Sequence, residues 1–557
     1  MKKILLIILS VVVVAAGATV AVLSTNKSTF VQRDKIEDTL FCYINLDQLT
    51  KKGAFEKYIT PEQRKMWASM ATANIEDDAI AENIKSIITD FNNFGADLSK
   101  PLYAYADEVH EAFVVVAEVA DKNVVEKSVG NIAFLIDKHC NTTYELEQDR
   151  DGGRLIFTDK AALAYSDKHI VMVFCEDGNV VPVLEEAYTR PLADFSMFGD
   201  SDIAMYINVY KLLNFGKQYI DKEIALYSDE NVNHIVAELN NEKLLLEEWS
   251  THITPDAHII SSLTFEPGRI VATNKCYNFN TEKFEGLLKK CNNDHLDYIS
   301  EDAIAVLNFG LEGKILSELI TEFINSDLSN LLGINLHNEE RMALAVACDA
   351  IESINGDTTI VLESIDGTLR ERFNYYTGDV NYLPEMKSFK AAVMMDVSDS
   401  YIITNVGQYA MGLLLKVDDK HYASQFGNYN ITLLQRENLL FGGVNMKPTK
   451  AENPASNAIW AKDIEESYGY AVINFNSLRE SKFTGSIYDI LIEELGLEYD
   501  NTLHSLKQML SYAYITSEDI LCNKSVVVLN DESTNSLEQF TSILIPVIIS
   551  EMSASIF

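Results

Sequence analysis

Four short segments of the chain share one pattern, an apolar run interrupted by a single asparagine. They are Cys42–Leu49, Met205–Leu212, Ala305–Glu312 and Ala471–Leu478, with the asparagines at Asn45, Asn208, Asn308 and Asn474. The intervals between these asparagines alternate long, short and long. Such an ordered repeat predicts that a unit of about 265 residues occurs twice in the chain.

Segments downstream of the asparagines also match in pairs. Val115–Gly130 resembles Val393–Gly407, and Ile270–Leu288 resembles Val526–Leu544. Each segment has a short β-branched run followed by apolar residues at helical spacing, which is typical of a strand and then a helix. The sequence therefore predicts an α+β fold, a tandem duplication (A-B-A'-B') of strand-helix units with antiparallel or mixed sheets, preceded by an N-terminal hydrophobic helix.

The repeat also predicts the domain boundaries. After an N-terminal segment 1–28, unit A covers residues 37–199, unit B 200–297, unit A' 298–457 and unit B' 458–557. Met446–Asn457 is rich in proline and small polar residues, which indicates a loop or linker between A' and B'. Within A, Tyr144–Phe157 and Ala161–Phe174 are predicted to be hairpins, and Pro61–Met70 and Ile75–Phe91 are predicted to be helical.

The N-terminus indicates export. Lys2 and Lys3 precede Ile4–Leu23, an uncharged run long enough to cross a bilayer as a helix. Ala16-Gly17-Ala18 also fits signal-peptidase cleavage, so an inner-membrane anchor through residues 4–23 and secretion after cleavage both stay open. We expect an extracytoplasmic location in the cell envelope. The first cysteine is Cys42, so we expect no lipid anchor of the bacterial lipoprotein type.

Charge and cysteine content limit what the chain can do. The chain has 45 basic and 83 acidic side chains and a formal net charge of −38, which disfavours binding to nucleic acid. The acidic residues are spread along the chain, as expected for a solvated surface. The seven cysteines are odd in number and widely spaced, which predicts buried free thiols. Cys276 and Cys291 are close in sequence, but nothing indicates that they bond.

The sequence contains none of the common catalytic motifs, such as GxSxG, GxxxxGK[ST], HExxH or CxxC. His252 and His258 have no metal-ligand spacing, and Asp149–Gly152 fits a hairpin turn better than a calcium loop. The acid pairs Asp77-Asp78 and Glu185-Glu186 are expected on solvated faces. We therefore assign no catalytic residue and expect no metal or cofactor.

The repeated asparagine has a structural and a catalytic interpretation. At the end of a strand, an asparagine side chain can accept a backbone hydrogen bond and begin the next turn or helix. A catalytic asparagine would need polar partners that recur beside it. The following residues include Asp47, Tyr210, Gly310 and Asn476, so no polar partner recurs. The structural interpretation is favoured.

Several of these segments resemble one known family. YINLDQL, YINVYKL, FGADLSKPLYAYAD (Phe94–Asp107) and AEVADKNVVEKSV are similar to domain-of-unknown-function family 4836, uncharacterised cell-envelope proteins of Bacteroidetes. The resemblance covers the chain from about Glu37 onward and implies export. It implies no known activity and no catalytic residues.

Anchor, duplication and missing motifs together favour a membrane-tethered or exported envelope protein that is a non-catalytic scaffold or binding component. Its partner would be an envelope protein or polymer. The alternative is an envelope polymer hydrolase or a solute-binding protein with its site in a cleft between the two halves, where ligand sites are common.

Overall fold

A computed structural model describes residues 39–542 and 545, apart from 74, 108–111, 141–144, 149–151, 159, 176–179, 191–195, 230–231, 252, 280–285, 326–337, 374–379, 399–401, 404–413, 481–482, 486–504, 517–519 and 543–544. The predicted N-terminal hydrophobic helix, Ile4–Leu23, lies outside the described residues. Within them the chain forms two compact units. The first comprises residues up to Leu226, Ile253–Ala272 and residues from Glu532. The second comprises Tyr227–His252 and Thr273–Asp531.

Several of the described α-helices begin after a residue whose side chain caps them. In chain order, the α-helices are α1 (Leu46–Lys52), α2 (Phe55–Tyr58), α3 (Pro61–Ala71), α4 (Asp78–Thr89), α5 (Lys122–Cys140), α6 (Val180–Thr189), α7 (Val209–Asp229), α8 (Asn233–Thr251), α9 (Gly313–Asn325), α10 (Asn338–Ile351) and α11 (Phe475–Glu480). Thr60 and Gln63 form a capping box at the start of α3, and Asp77 caps α4. Both predicted helices in this region are confirmed.

The described strands fall into two series. The first is β1 (Leu40–Ile44), β2 (Leu102–Asp107), β3 (Ala112–Glu118), β4 (Glu145–Gln148), β5 (Gly152–Thr158), β6 (Ala161–Ser166), β7 (His169–Cys175), β8 (Ile203–Asn208), β9 (Ile253–Glu266) and β10 (Arg269–Phe279). The second is β11 (Leu288–Lys289), β12 (Ala305–Glu312), β13 (Ile354–Phe373), β14 (Val380–Val397), β15 (Leu415–Asp418), β16 (His421–Phe426), β17 (Tyr429–Arg436), β18 (Leu439–Val444), β19 (Gly469–Asn474), β20 (Leu506–Ile515) and β21 (Leu521–Leu529).

The first unit has the strand order β4-β5-β6-β7-β3-β2-β1-β8-β9 with antiparallel neighbours. The predicted hairpins appear as β4-β5 and β6-β7. A hydrophobic core between β5-β6-β7 and α5 includes the buried side chains of Val125, Leu155 and Tyr165. The fold class, α+β with antiparallel sheet, is confirmed in this unit.

The second unit has the order β15-β16-β17-β18-β14-β13-β12-β19-β20-β21, again antiparallel. Position by position, its first nine strands follow the same path through the sheet as the nine strands of the first unit. β1, which Asn45 directly follows, and β12, which contains Asn308, occupy the same place in the two orders. So do β8 and β19, which carry Asn208 and Asn474.

Two faces of the second unit differ in how they are covered. Along β12, buried and partly buried residues alternate, as a pleated strand requires. The covered face presents residues such as Val306, Val361 and Met394 to a core that is closed by residues 291–303, here called the covering segment, and by residues 455–464, which include Trp460. The open face presents the intervening residues of the same strands, among them Ile360, whose side chain is 47% exposed.

Met446–Asn457 is a loop, as predicted, but it does not behave as a linker. Ala455 within it is fully buried in the core of the second unit. Its backbone N–H donates to Ile299 O at 2.8 Å, and that of Ala451 donates to Asp297 O at 3.0 Å. The loop therefore packs against residues 297–299 as part of the covered face.

The β13-β14 hairpin is much longer than its neighbours. The strands have 20 and 18 residues, yet β12 pairs with β13 only between Asn355 and Leu362, and β18 pairs with β14 only between Ala391 and Asp396. Beyond these limits, residues 364–373 and 380–390 pair with each other. We call this outer part of the hairpin the ribbon.

Candidate functional site

Three of the four repeated asparagines cap helices. The Oδ1 atoms of Asn45, Asn208 and Asn474 accept the backbone N–H three residues later, at 3.1, 2.9 and 3.1 Å respectively. Each therefore ends a strand and begins α1, α7 or α11, which confirms the structural interpretation. Asn308 departs from this pattern, because it lies inside β12 and its side chain is fully buried.

Asn308 belongs to a buried polar cluster on the covered face. Thr359 of β13 and Tyr470 of β19 lie directly opposite Asn308 on the two neighbouring strands. The Thr359 hydroxyl donates to Asn308 Oδ1 at 2.7 Å. Thr359 is fully buried and Tyr470 is 3% exposed. The three side chains therefore form a polar row across an otherwise apolar core.

His295 extends this row from the covering segment. It lies in a 3₁₀ helix, Asp294–Tyr298, and is 2% exposed. Its Nδ1 is 2.7 Å from Thr359 Oγ1, and its Nε2 is 3.2 Å from Asp396 Oδ1 on β14. A histidine bonded through both ring nitrogens has a fixed orientation. The cluster thus ties the covering segment to three strands of the sheet.

Two carboxylates complete the cluster. Asp357 is fully buried and accepts the backbone N–H groups of Asn292 and Asn293 at 3.1 and 2.9 Å. Asp396 Oδ2 accepts the Asp357 N–H at 3.0 Å and the Asn292 side-chain amide at 2.8 Å. Gly356 has φ +141°, and a Cβ there would lie 2.8 Å from Asp396 Oδ2. Glycine is needed at 356 for this close approach.

The two carboxyl groups differ in acidity. Burial raises the pKa of Asp357, although its two backbone hydrogen bonds oppose the shift. Burial would also raise the pKa of Asp396, but the hydrogen bond from His295 and the charge on that ring bring it below its usual range. Neighbouring carboxyl groups whose pKa values move in opposite directions are a feature of acid-base sites. Whether this pair can act on a substrate therefore depends on whether a substrate can reach it.

The geometry of the cluster favours a structural role. The oxygens of Asp357 are engaged by backbone N–H groups, and Thr359 has no exposed surface from which to attack a substrate. Burial raises the pKa of the nearby Cys291 thiol to about 12, so this thiol is protonated at neutral pH and is a poor nucleophile. Among the described residues, no group of His, Cys, Asp and Glu side chains is arranged to hold a metal ion.

An apolar groove lies on the open face of the second unit. It has a volume of about 340 Å³ and is lined by residues of β12, β13, β14 and β19 that face away from the covered core: Ala305, Leu307, Ile360, Leu362, Ala391, Ala471 and Ile473. Val306, Val361 and Val472 also line it, although their side chains belong to the core of the covered face. Every lining residue is aliphatic. The side chains of Ile360 and Ile473 are 47% and 37% exposed. Exposed apolar surface of this kind commonly marks a binding site.

A second groove, of about 460 Å³, lies in the first unit and is lined by both charged and apolar residues. Arg154 lies in its wall between two acids, 2.7 Å from Glu147 and 3.4 Å from Glu185. Both glutamates are more than 60% exposed, so these ion pairs are screened by solvent and contribute little energy. Glu185, expected on a solvated face, does lie at the surface. Tyr188 also lines this groove.

The remaining sequence candidates are structural or lie outside the described part of the chain. His258 is buried and stacks on Tyr206, and burial lowers its pKa. His252 lies outside the described residues, as do positions 149–151 of the DRDG turn. The six cysteines other than Cys140 are free thiols, five of them buried, which confirms the prediction for these six.

The polar cluster was not predicted from the sequence. Its members come from five separate stretches of the chain, and no spacing links His295 to Thr359, Asp396 or Tyr470. One feature sets Asn308 apart from the other three asparagines: the strand continues after it, through Phe309 and Gly310, and the next helix begins only at Gly313. An asparagine so far from a helix start cannot cap it and needs another partner.

Within the described ranges, no helix is both long and apolar enough to cross a membrane. No protein-family model matches the chain, and no curated protein matches it. Among solved structures, crystal form III of TP0453 is 10% identical, with 44% of this chain and 77% of that chain covered and a TM-score of 0.22. Crystal forms IV and I are each 11% identical with TM-scores of 0.21, covering 43% of this chain and 76% and 74% of theirs. Likenesses this weak carry no argument about fold or function.

Proposed function

We propose that this protein is a non-catalytic binding component of the cell envelope, which recognises its partner through the apolar groove of the second unit. The groove carries the proposal. The groups able to do acid-base chemistry are enclosed and engaged in holding backbone, whereas the accessible concave surface of the same unit is aliphatic. An aliphatic surface provides binding energy by burial from water and offers no group that transfers a proton.

The envelope location and membrane tether belong to the same proposal. They rest on the sequence, in which Lys2-Lys3 and the apolar run Ile4–Leu23 precede the folded units. The resemblance to family 4836 points the same way. Membership of this family also stays a proposal.

We also infer that the two units descend from one ancestral unit. The inference is supported by the shared strand order, by the matching places of β1 with β12 and β8 with β19, and by the common capping role of Asn45, Asn208 and Asn474. Under this view Asn308 no longer caps a helix as the other three asparagines do, and instead bonds Thr359 inside the core.

A pull-down from native membranes tests the proposed function. The proteins recovered after cross-linking would be compared for three tagged full-length chains: the natural chain, Ile360→Lys in the groove, and Ile459→Lys as the matched control. Ile459 is in the same unit, lies off the groove and is 89% exposed, so a lysine is harmless there. We expect one envelope partner to be recovered by the natural chain and the control but lost by Ile360→Lys. Equal recovery by all three would contradict the role of the groove.

One observation favours a hydrolase as a second candidate, namely the opposite pKa shifts of Asp357 and Asp396. Its test is turnover of envelope polymers by the natural chain and by Asp396→Asn. Turnover that is lost in the variant would replace the binding proposal. The enclosure of Asp357 is the physical reason to expect no turnover.

A further inference from the structure

The groove of the first unit brings together groups of different chemistry. Its walls are built from β4, β5 and α6, which supply Glu147, Arg154 and Glu185 respectively. Two buried apolar side chains, Ala164 and Leu184, also line it. Its volume of about 460 Å³ lies within the range of about 300–1,000 Å³ that is usual for small-molecule sites.

Tyr188 adds an aromatic ring to this groove. Gly152, at the start of β5, leaves room for its hydroxyl, because a Cβ there would lie 2.6 Å from Tyr188 Oη. The backbone of Tyr188 is held to β7, since its O atom is 2.8 Å from His169 Nε2. The rings of these two residues are 5.7 Å apart. The tyrosine therefore has a fixed place in the groove wall.

The ion pairs of Arg154 leave hydrogen-bonding groups for a ligand. Arg154 Nε and Nη2 both lie 2.7 Å from Glu147 Oε2, and Nη1 lies 3.4 Å from Glu185 Oε1. These contacts take three of the five N–H groups of the guanidinium. Among the described residues, the other two N–H groups and the second oxygen of each carboxylate have no partner. The groove thus offers donors beside acceptors.

The charges in the groove favour a neutral ligand. An anion would meet two exposed glutamates on a chain whose formal net charge is −38, and would be repelled. A cation would have to displace Arg154, which already lies between Glu147 and Glu185. A sugar is neutral, and each of its hydroxyls both donates and accepts. Its C–H groups also pack well against an aromatic or aliphatic side chain.

We propose that the groove of the first unit is a binding site for a small neutral saccharide. Arg154 donates to sugar hydroxyls, and Glu147 and Glu185 accept from them. Tyr188 and Leu184 contact the C–H face of the ring. The site lies in a different unit from the apolar groove, so this proposal goes beyond the proposed function and does not depend on it.

The second unit has no equivalent of this groove. In the first unit α6 follows β7, whereas the chain after β18, which takes the place of β7 in the second strand order, contains no α-helix. Residues 445–468 form loops and two short 3₁₀ helices, Ala455–Asn457 and Ile459–Lys462. Glu185 and Tyr188 therefore have no counterpart there. The shared strand order does not by itself produce the groove, which is a feature of one copy.

Saturation-transfer difference NMR with the full-length chain tests the site. The probes are maltose, cellobiose, lactose and N,N′-diacetylchitobiose, and glucose is compared with its charged derivatives glucuronate and glucosamine. We expect at least one of the disaccharides to bind at about 10 mM or below, and neither charged derivative to bind more tightly than glucose. Binding of no disaccharide, or tighter binding of a charged derivative, would overturn the proposal.

Two arginine substitutions locate the binding. Arg154→Met keeps the length of the side chain but removes the guanidinium, and we expect the affinity for the bound disaccharide to fall at least about tenfold. Arg269→Met is the matched control, because Arg269 forms an exposed ion pair with Glu266 in the same unit and off the groove. Exposed pairs contribute little to stability, so both variants should fold, which thermal unfolding checks.

The control should bind the disaccharide as the natural chain does, and so should Ile360→Lys in the apolar groove. Unchanged affinity in Arg154→Met, or an equal loss in Arg269→Met, would overturn the proposal. Binding that is lost in Ile360→Lys would assign the saccharide to the apolar groove and would overturn it too.

Free sugars and the ends of polymers present the same chemistry to this groove. A tetrasaccharide of the bound sugar distinguishes them, since affinity equal to that of the disaccharide indicates a polymer end and weaker affinity indicates a free sugar. Either result supports a saccharide site, provided that Arg154→Met weakens the binding.

Discussion

Thr359→Val removes the central hydroxyl of the buried cluster with almost no change in shape. Thr359 Oγ1 makes two short contacts, 2.7 Å to Asn308 Oδ1 and 2.7 Å to His295 Nδ1, and neither partner can reach water. Each buried polar group left unsatisfied costs about 1–3 kcal/mol, and the added methyl group returns about 0.8 kcal/mol. We expect the free energy of unfolding of the second unit to fall by about 1–5 kcal/mol.

Thr358→Val is the matched control on the adjacent residue. The Thr358 hydroxyl oxygen is buried and has no hydrogen-bond partner in the part of the chain that the structure describes. The same substitution there removes an unsatisfied group, so stability should stay the same or rise by up to about 1 kcal/mol. The two substitutions therefore have opposite expected signs.

Tryptophan fluorescence in a denaturant titration can report on the second unit alone. The chain has three tryptophans, and replacing Trp67 and Trp249 by phenylalanine leaves Trp460, which is buried in the core of this unit. The shift in the unfolding midpoint, multiplied by the slope m, gives the change in stability. If Thr359→Val and Thr358→Val changed stability equally, the cluster would not hold the fold as argued.

Three further perturbations have defined outcomes. Lys52→Met leaves the fully buried Asp202 carboxylate without its ion-pair partner, which lies at 2.7 Å. Thermal unfolding should show that the free energy of unfolding falls by about 2–4 kcal/mol. This is less than for a fully enclosed pair, because the Lys52 side chain is 26% exposed. Gly268 and Gly427 both have φ near +60°, but only at Gly268 would a new Cβ meet backbone, 2.4 Å from Glu532 Cα. In denaturant titrations Gly427→Ala should lower the free energy of unfolding by roughly 1–2 kcal/mol and Gly268→Ala by at least twice as much. Equal losses would contradict this. Burial raises the pKa of Cys291 to about 12, so its thiolate appears only at strongly alkaline pH, and in a thiol-reagent assay at about pH 8 it should react only after unfolding. Rapid labelling of Cys291 itself in the folded chain, located by peptide mapping, would refute the assigned burial.

Local patterns explain why parts of this fold follow from the sequence. The hairpins β4-β5 and β6-β7 are formed by neighbours in the chain, and the capping box of α3 lies within four residues. Asn45, Asn208 and Asn474 each bond a backbone group three residues away. Interactions of this range are visible in the sequence, because one local conformation satisfies them.

The polar cluster depends on contacts of long range. His295 meets Thr359 and Asp396 only after three strands and a covering segment have been placed, and their sequence separations are 64 and 101 residues. The loop Met446–Asn457 shows the same limit. Its composition correctly predicts irregular backbone, but the burial of Ala455 depends on the surface against which the loop packs.

The ribbon extends beyond the part of the sheet in which β13 and β14 pair with β12 and β18. Its paired residues 364–373 and 380–390 extend about 30 Å at the usual rise of a strand. The strands that form it run on into the floor of the apolar groove, where Ile360 and Ala391 lie, but the pairing of β13 with β14 shifts register between Leu362 and Ser364 and again between Asp366 and Gly367. Because a bulge bends a strand pair locally and increases its twist, a force applied at the far end of the ribbon would bend the hairpin at these two points, next to the groove.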